Sequence, residues 1–271
     1  MSIPGNIITN TNNEIIEPID SIIIYEHEEK DGKKYALTLN LVGTTPAHSK
    51  GWELVKKRDL VMVGVSMGNG FFNKSRLEII LTGMATYFSE LVVLIPDMPA
   101  LHTYRAIGYD EATVISKVKK HRRTTIKCCK SIFKQRNEVF RKDNVKILTW
   151  DKVLALGSDY QVAYQRAIET YHHHLGFKQA IERNTARYIL PRLEEQNIQQ
   201  LGGMHMVLKE AIYYLLEEMA FHEIFHLILG KESISCYYKE LELAPNYLSG
   251  NYGNLPNHSA GWIVYNIYEK V

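Results

Sequence analysis

Apolar residues along this chain fall into two rhythms, short unbroken runs and three-and-four spacing, which alternate. Leu60, Val61, Met62, Val63 and Val65 form a run that stops at Ser66, the pattern of a strand covered on both faces of a parallel sheet. Gly64 interrupts it without a side chain, which marks a place where something approaches the backbone closely. Gly68 and Asn69 read as a turn, and Lys74 to Glu90 follows with Leu77, Ile80, Leu81, Met84 and Phe88 on one helical face. Leu91 to Ile95 is a second strand, stopped by Pro96. Strand, helix and strand make a βαβ unit, whose sheet is expected to be parallel with a right-handed crossover. Ser66 then stands at the carboxyl edge of that sheet, where α/β folds bind ligands.

The remaining pattern extends this α/β reading. Ile22 to Ile24 and Ala36 to Val42 flank the turn signal Lys30-Asp31-Gly32-Lys33, an N-terminal hairpin. Asp110 to about Arg141 reads as one long helix, Val145 to Thr149 as a strand, Asp151 to about Arg192 as helical material and His205 to about Leu229 as another helix. Ile234 to Tyr237 is short and strand-like. The tail from Leu243 to Val271 starts as loop and finishes in an apolar aromatic segment around Trp262 to Tyr268. The expected organisation is an extension with a hairpin over 1–45 and one catalytic α/β domain over 46–271, a parallel sheet flanked by helices.

Composition narrows the class. With 271 residues, 45% of them hydrophobic and 23% charged, the chain has the make-up of a globular domain with a substantial core. No apolar run approaches the ~18 residues of a membrane span, and the polar start MSIPGNIITNTNNE lacks the regions of a signal peptide. Cytoplasm is the expectation. Three cysteines, Cys128, Cys129 and Cys236, suit reduced thiols better than a disulfide framework. The net charge of +2 leaves nucleic-acid affinity to local clustering, and clustering exists. Lys120, Arg123, Lys127, Lys130 and Lys134 recur along one helical face, with no acidic residue between Lys117 and Arg136. A solvated basic face is the plain alternative, but like charges in a row repel and a phosphate backbone relieves them. RNA rather than DNA is the expected partner once the resemblance below is added.

Three patterns compete to carry chemistry. Gly64-Val65-Ser66-Met67-Gly68 fits the G-x-S-x-G nucleophile elbow of serine hydrolases, with His258 as the late histidine such a triad needs. His222-Glu223-Ile224-Phe225-His226 fits the H-E-x-x-H zinc-peptidase motif. Leu229 and Glu232 stand where the extended motif wants glycine and histidine, and Glu240, Glu242 or His258 would have to complete the metal. His172-His173-His174 spans three directions of a helix and reads as surface. The third pattern joins Ser66 with Tyr213 and Glu217, four apart on one helical face, and then Tyr237 and Tyr238. A carboxylate beside a phenol holds and orients an ammonium group, although core aromatics and a surface charge give the same letters.

Together these residues resemble the cyclodipeptide synthases. GVSMGNGFF, from Gly64 to Phe72, resembles the family's nucleophile segment, YYLLEEMAF its tyrosine-x-x-x-glutamate helix, and Cys236-Tyr237 its late cysteine-tyrosine pair, so the resemblance spans roughly Leu60 to Leu248. It implies a Rossmann-like fold similar to class I aminoacyl-tRNA synthetase catalytic domains, two aminoacyl-tRNAs as substrates, a cyclic dipeptide as product and a monomeric enzyme. By position Ser66 is the acyl-accepting serine, Tyr213 and Glu217 hold the α-amino group, and Tyr237 is the catalytic tyrosine. A frame shifted by one, Tyr214 with Glu218 and Tyr238, keeps the same spacing, while Cys236 and Phe221 favour the first frame. Met62, Gly64 and Leu94 line the first aminoacyl pocket, Asn184 and Tyr238 touch the second, and Asn69 falls where one of two subfamilies has asparagine. Tyr238 departs from the histidine or proline that the subfamilies place after the tyrosine. The synthetase nucleotide signatures are missing, so no ATP, metal or other cofactor is expected.

Overall fold

The computed structural model describes residues 8–9, 15–16, 20–29, 31–141, 143–193, 195–239 and 242–270. Most of the polar start, Lys30 of the expected turn and Glu240 lie outside them. A two-residue antiparallel pair, β1 (Ile8–Thr9) and β2 (Ile15–Ile16), precedes the main sheet. That sheet holds β3 (Asp20–Glu28), β4 (Lys34–Leu41), β5 (Leu60–Gly64), β6 (Glu90–Ile95), β7 (Val145–Thr149), β8 (Ser233–Tyr237) and β9 (Ala260–Lys270), in the order β3-β4-β9-β8-β5-β6-β7. From β9 to β7 all neighbours are parallel, and the β3–β4 hairpin adds to the outer edge of β9 in antiparallel pairing.

The unbroken apolar run of β5 follows from its central place. Val61, Val63 and Val65 enter one core with Leu77, Ile80, Leu81 and Met84 of α2 (Lys74–Tyr87) and Val118, Cys129 and Ile132 of α4 (Glu111–Gln135). Leu60 and Met62 face the opposite core, built with α6 (Ser158–His173), α7 (Leu175–Ile189) and α9 (Met204–Leu229). Both faces are therefore covered, which forbids polar alternation. Each fully buried side chain of this kind contributes about 1.5–3 kcal/mol.

The βαβ reading, the long basic helix, β7 and the helix before β8 are all present. Sequence pattern and structure part at the two ends of the chain and around residue 157. The stretch 151–192 is divided into α5 (Trp150–Leu154), α6 and α7, because Gly157 takes a positive φ of 56° and His174 stops α6 and caps α7, its ring accepting from the Phe177 N–H at 3.1 Å. The tail is no peripheral segment: α10 (Leu243–Leu248) leads into β9, which lies inside the sheet between β4 and β8. Asn, Gly and Pro precede β9 and hide it in the pattern. A helix the pattern did not suggest, α1 (Pro46–Lys57), starts at a Thr45 cap with proline in its first turn, a recognised helix opening. It lies so close to β9 that a Cβ on Gly261 would sit 2.3 Å from the Gly51 Cα.

Helix α4 ends at Gln135, short of Arg141. Its N-cap Asp110 accepts from the Thr113 N–H at 3.0 Å. Midway, Arg122 reaches the buried Asp97 at 2.9 Å, whose other oxygen accepts from the Trp150 N–H at 2.8 Å. That bond ties α4 to the carboxyl ends of β6 and β7, the edge on which Ser66 sits. Among the described residues no helix is long and apolar enough to cross a membrane.

Candidate active site

Ser66 follows β5 by two residues and is 9% exposed. Its backbone position is fixed by the Val65 N–H donating to Leu94 O at 2.9 Å. Parallel pairing of β5 with β8 brings the ends of both strands level, and there Ser66 Oγ lies 2.9 Å from the Tyr237 hydroxyl. Gly64 borders the phenol: a Cβ added to it would meet Tyr237 ring carbons in ordinary contact at 3.6 Å and 3.9 Å and nothing else within 4 Å. Met62 and Leu94 are buried on the same face of the sheet.

The turn after Ser66 is held by one residue. Gly68 adopts φ of 70°, a conformation that glycine takes without strain. Asn69 then accepts from the Phe71 N–H at 3.0 Å and donates its amide to the Tyr238 hydroxyl at 2.8 Å. The strand end, the turn and the end of β8 are thus bolted together around Ser66.

Helix α9 brings two tyrosine-glutamate pairs to this edge, one helical step apart. Tyr214 and Glu218 are hydrogen-bonded and lie with Tyr188 of α7 in the electrostatic surroundings of Tyr237. Burial drives the Glu218 carboxyl up to about 7, against which the Tyr214 bond pulls it down. Burial likewise raises the Tyr237 phenol well above its usual range, helped by Tyr238 and Glu218 and opposed by the Ser66 bond. At neutral pH Tyr237 is therefore a neutral hydroxyl, able to donate and accept.

Tyr213 and Glu217 turn instead toward α3 (Ala100–Ala106). Glu217 lies 3.1 Å from His102 Nε2, Glu210 lies 2.8 Å from His102 Nδ1, and the Tyr213 ring is 5.5 Å from the imidazole. Burial pulls the His102 pKa down, but hydrogen bonds to Glu217 and Glu210 outweigh it and the net shift is upward. Tyr160 and Tyr164 of α6 also stand near Glu217, and burial together with that carboxylate lifts Tyr164 to about 12. The chain thus carries both spacings: Tyr214 and Glu218 share the electrostatic surroundings of Tyr237, while Tyr213 and Glu217 pack against His102.

Of the other expected residues, Asn184 bonds back to Ala180 O of its own helix at 2.7 Å. Lys120, Arg123, Lys127, Lys130 and Lys134 are all exposed on α4, whereas Arg122 is spent on Asp97 and Asp151. Tyr188, Tyr214, Glu218 and His102 were not singled out in the first reading frame. For Tyr214 and Glu218 a signal existed, the second tyrosine-glutamate spacing. For Tyr188 and His102 none did.

The zinc and hydrolase motifs meet different surroundings. His222 is buried, its pKa lowered to about 4 by that burial, and Glu223 is engaged by Arg166 and by the Tyr247 hydroxyl at 3.3 Å. A water-polarising glutamate between two exposed histidines is not what this helix presents. Among the described residues no group of three His, Cys, Asp or Glu is placed to hold a metal ion. His258 is exposed, in the loop before β9, and the partner of Ser66 Oγ is a phenol.

Residues 42–266 match the family model described as cyclodipeptide synthase. The chain belongs to that family. Cyclodipeptide synthases are tRNA-dependent, aminoacyl-transferring enzymes, and the resemblance noted in the sequence holds over most of the chain. No curated protein sequence matches at a significant level. Among solved structures, the chain is similar to a cyclodipeptide synthase from Bacillus thermoamylovorans, with 18% identity, TM-score 0.70, and coverage of 82% of this chain and 94% of that one. A Mycobacterium tuberculosis protein whose structure relates cyclodipeptide synthetases to type I tRNA synthetases gives 15% identity, TM-score 0.63, and coverage of 90% and 96%. A synthase from Candidatus Glomeribacter gigasporarum, solved bound to Phe-tRNAPhe, gives 15% identity, TM-score 0.55, and coverage of 76% and 87%. At such identities the likeness is one of fold, and it agrees with the Rossmann-like parallel sheet described above.

Proposed function

We propose that this cyclodipeptide synthase works through an aminoacyl ester on Ser66 and returns a 2,5-diketopiperazine from two aminoacyl-tRNAs. Ser66 Oγ attacks the ester carbonyl of the first aminoacyl-tRNA. The bond to the ribose oxygen breaks, that oxygen takes the proton lost by Ser66, and the aminoacyl group stays on the serine. Because the substrate is already an activated ester, positioning and proton handling suffice and no ATP is consumed.

The amine-holding role expected of Tyr213 and Glu217 falls in this reading to Tyr214 and Glu218. An α-amino group titrates near ~7.7–8.0, and Glu218 is raised to about 7. A proton therefore moves between them at small cost, and the carboxylate turns a bound ammonium into a free amine. That amine attacks the second aminoacyl-tRNA, whose ribose oxygen leaves with a proton. The new dipeptide's amine then closes on the Ser66 ester, the serine oxygen regains its proton through Tyr237, and the ring departs. Water must stay out while the ester exists, since hydrolysis competes with the amine.

Met62, Gly64 and Leu94 form the first side-chain pocket, an apolar one. The exposed cations Lys120, Arg123, Lys127, Lys130 and Lys134 take the tRNA acceptor stem, and the Arg122–Asp97 bond aims their helix at the Ser66 edge. The observation that carries the proposal is the 2.9 Å contact of Ser66 Oγ with the Tyr237 hydroxyl. Intact mass measurement after mixing with an aminoacyl-tRNA tests it. The wild-type chain is expected to gain one aminoacyl group and Ser66→Ala none; an adduct of equal yield on Ser66→Ala would remove the serine from the reaction.

A further inference from the structure

Next to Ser66 lies a layered group of side chains to which the reaction above assigns no role. Phe71 and Tyr238 stack with centroids 3.8 Å apart and planes 12° from parallel, and Phe72 meets Tyr238 edge-on at 5.4 Å. Asn69 fixes both partners, through the Phe71 N–H and the Tyr238 hydroxyl. Each outer face carries a cation: the Arg76 guanidinium lies 5.1 Å over Phe71, and the Lys239 ammonium 5.3 Å over Tyr238. Both cations are exposed, and among the described residues these rings are their side chains' only recorded partners.

We propose that this stack is the docking platform for the unpaired 3′-terminal nucleotides of the aminoacyl-tRNA, an assignment that rests on the function proposed above. The acyl ester is carried by the ribose of the terminal nucleotide, so an acyl carbon at Ser66 places the attached base within one nucleotide's breadth of that serine. Tyr238 meets this condition, because its ring centroid is 4.7 Å from that of Tyr237, the partner of Ser66. Unpaired bases bind to aromatic faces backed by cations, each stack being worth about 5- to 150-fold in affinity. A base slides between ring and cation, and the cation then serves the adjoining phosphate. The platform also continues a track. Lys74, in the first turn of α2, lies in the electrostatic surroundings of Cys128 of α4, where it opposes the rise that burial gives that thiol, so positive charge runs from the α4 stripe through Lys74 and Arg76 to the stacked rings.

The test uses the full-length chain and a tRNA whose terminal adenosine is replaced by fluorescent 2-aminopurine. Stacking quenches this probe, and the wild-type chain is expected to quench it on binding. Phe71→Leu and Tyr238→Leu should lose the quench and weaken binding 5- to 150-fold, with no change for a tRNA lacking its three terminal nucleotides. Tyr238→Phe keeps the ring and should keep the quench, while Arg76→Ala, on the exposed surface and harmless to folding, should weaken only the intact tRNA. Unchanged quenching in both leucine variants, or equal weakening of intact and shortened tRNA, overturns the platform. If Lys127→Glu weakens both tRNAs while the leucine variants change neither, the platform alone fails. Should the wild-type chain bind neither tRNA, the proposed function fails and the platform with it.

Discussion

Glu217 and Glu218 are adjacent on one helix and differ in almost everything that matters to a carboxylate. Glu217 meets an imidazole, His102, which Glu210 grips from the other side. Glu218 interacts with Tyr214 and feels the charge of Glu217, and burial carries its pKa to about 7. A turn of about 100° per residue therefore converts one letter of sequence into a change of trade. Glu217, through its 3.1 Å contact with His102, pins α3 to α9. Burial holds the Glu218 carboxyl at about 7 within the electrostatic surroundings of Tyr237, and in the proposed reaction it is the group that takes and returns a proton.

The sharpest way to break this contrast is to remove each charge in turn. Glu218→Gln is expected to slow cyclodipeptide formation by about 10²- to 10⁴-fold, the span of a lost general acid-base group, while Glu217→Gln should cost less than about tenfold. Product formation from two charged tRNAs measures both, and the reverse order would move the amine-holding role back to the Tyr213–Glu217 register. The pH profile sharpens the same point. Activity should rise on an acid limb centred near 7, the pKa to which Glu218 is raised, and the residual activity of Glu218→Gln should lack that limb.

A smaller effect is expected on stability from the other side of the comparison. His102→Ala leaves Glu217 and Glu210 without their shared donor and should cost about 1–3 kcal/mol in urea unfolding. Because the His102 pKa is raised above its usual 6.5, this contribution is fully present below pH 6.5 and is lost as pH rises through the raised folded-state value. The gap between wild type and His102→Ala should close accordingly; a gap independent of pH would mean that the imidazole acts by packing alone. The mildest change is on α4. Lys127→Glu or Lys130→Glu should weaken tRNA binding and lower the slope of log affinity against log salt by about 1, without altering folding.

Legibility in the sequence followed how local each determinant is. The run ending at Ser66 and the spacing of Leu77, Ile80, Leu81, Met84 and Phe88 specify a strand and a helix by themselves, since both periods are properties of a dozen residues. The basic stripe was equally plain, and its five cations are exposed as the pattern predicts. β9 was obscure for a structural reason: its neighbours β4 and β8 are distant in sequence, and the Asn, Gly and Pro before it mimic a loose tail. Within the site, Ser66 stood out because a glycine-flanked serine ends a strand. His102 carried no local mark, because its meaning depends on two glutamates more than a hundred residues away, at separations of 108 and 115.

Sequence alone therefore determined the α/β class, the strand that ends at Ser66, the charge of α4 and the family resemblance. Each of these rests on spacing along the chain. How α9 divides its two tyrosine-glutamate spacings between His102 and the surroundings of Tyr237 was decided only in three dimensions. The pairing of β5 with β8 sets where Tyr237 meets Ser66, and the rotation of α9 against α3 and α7 brings Glu217 to His102 and Glu218 to Tyr214.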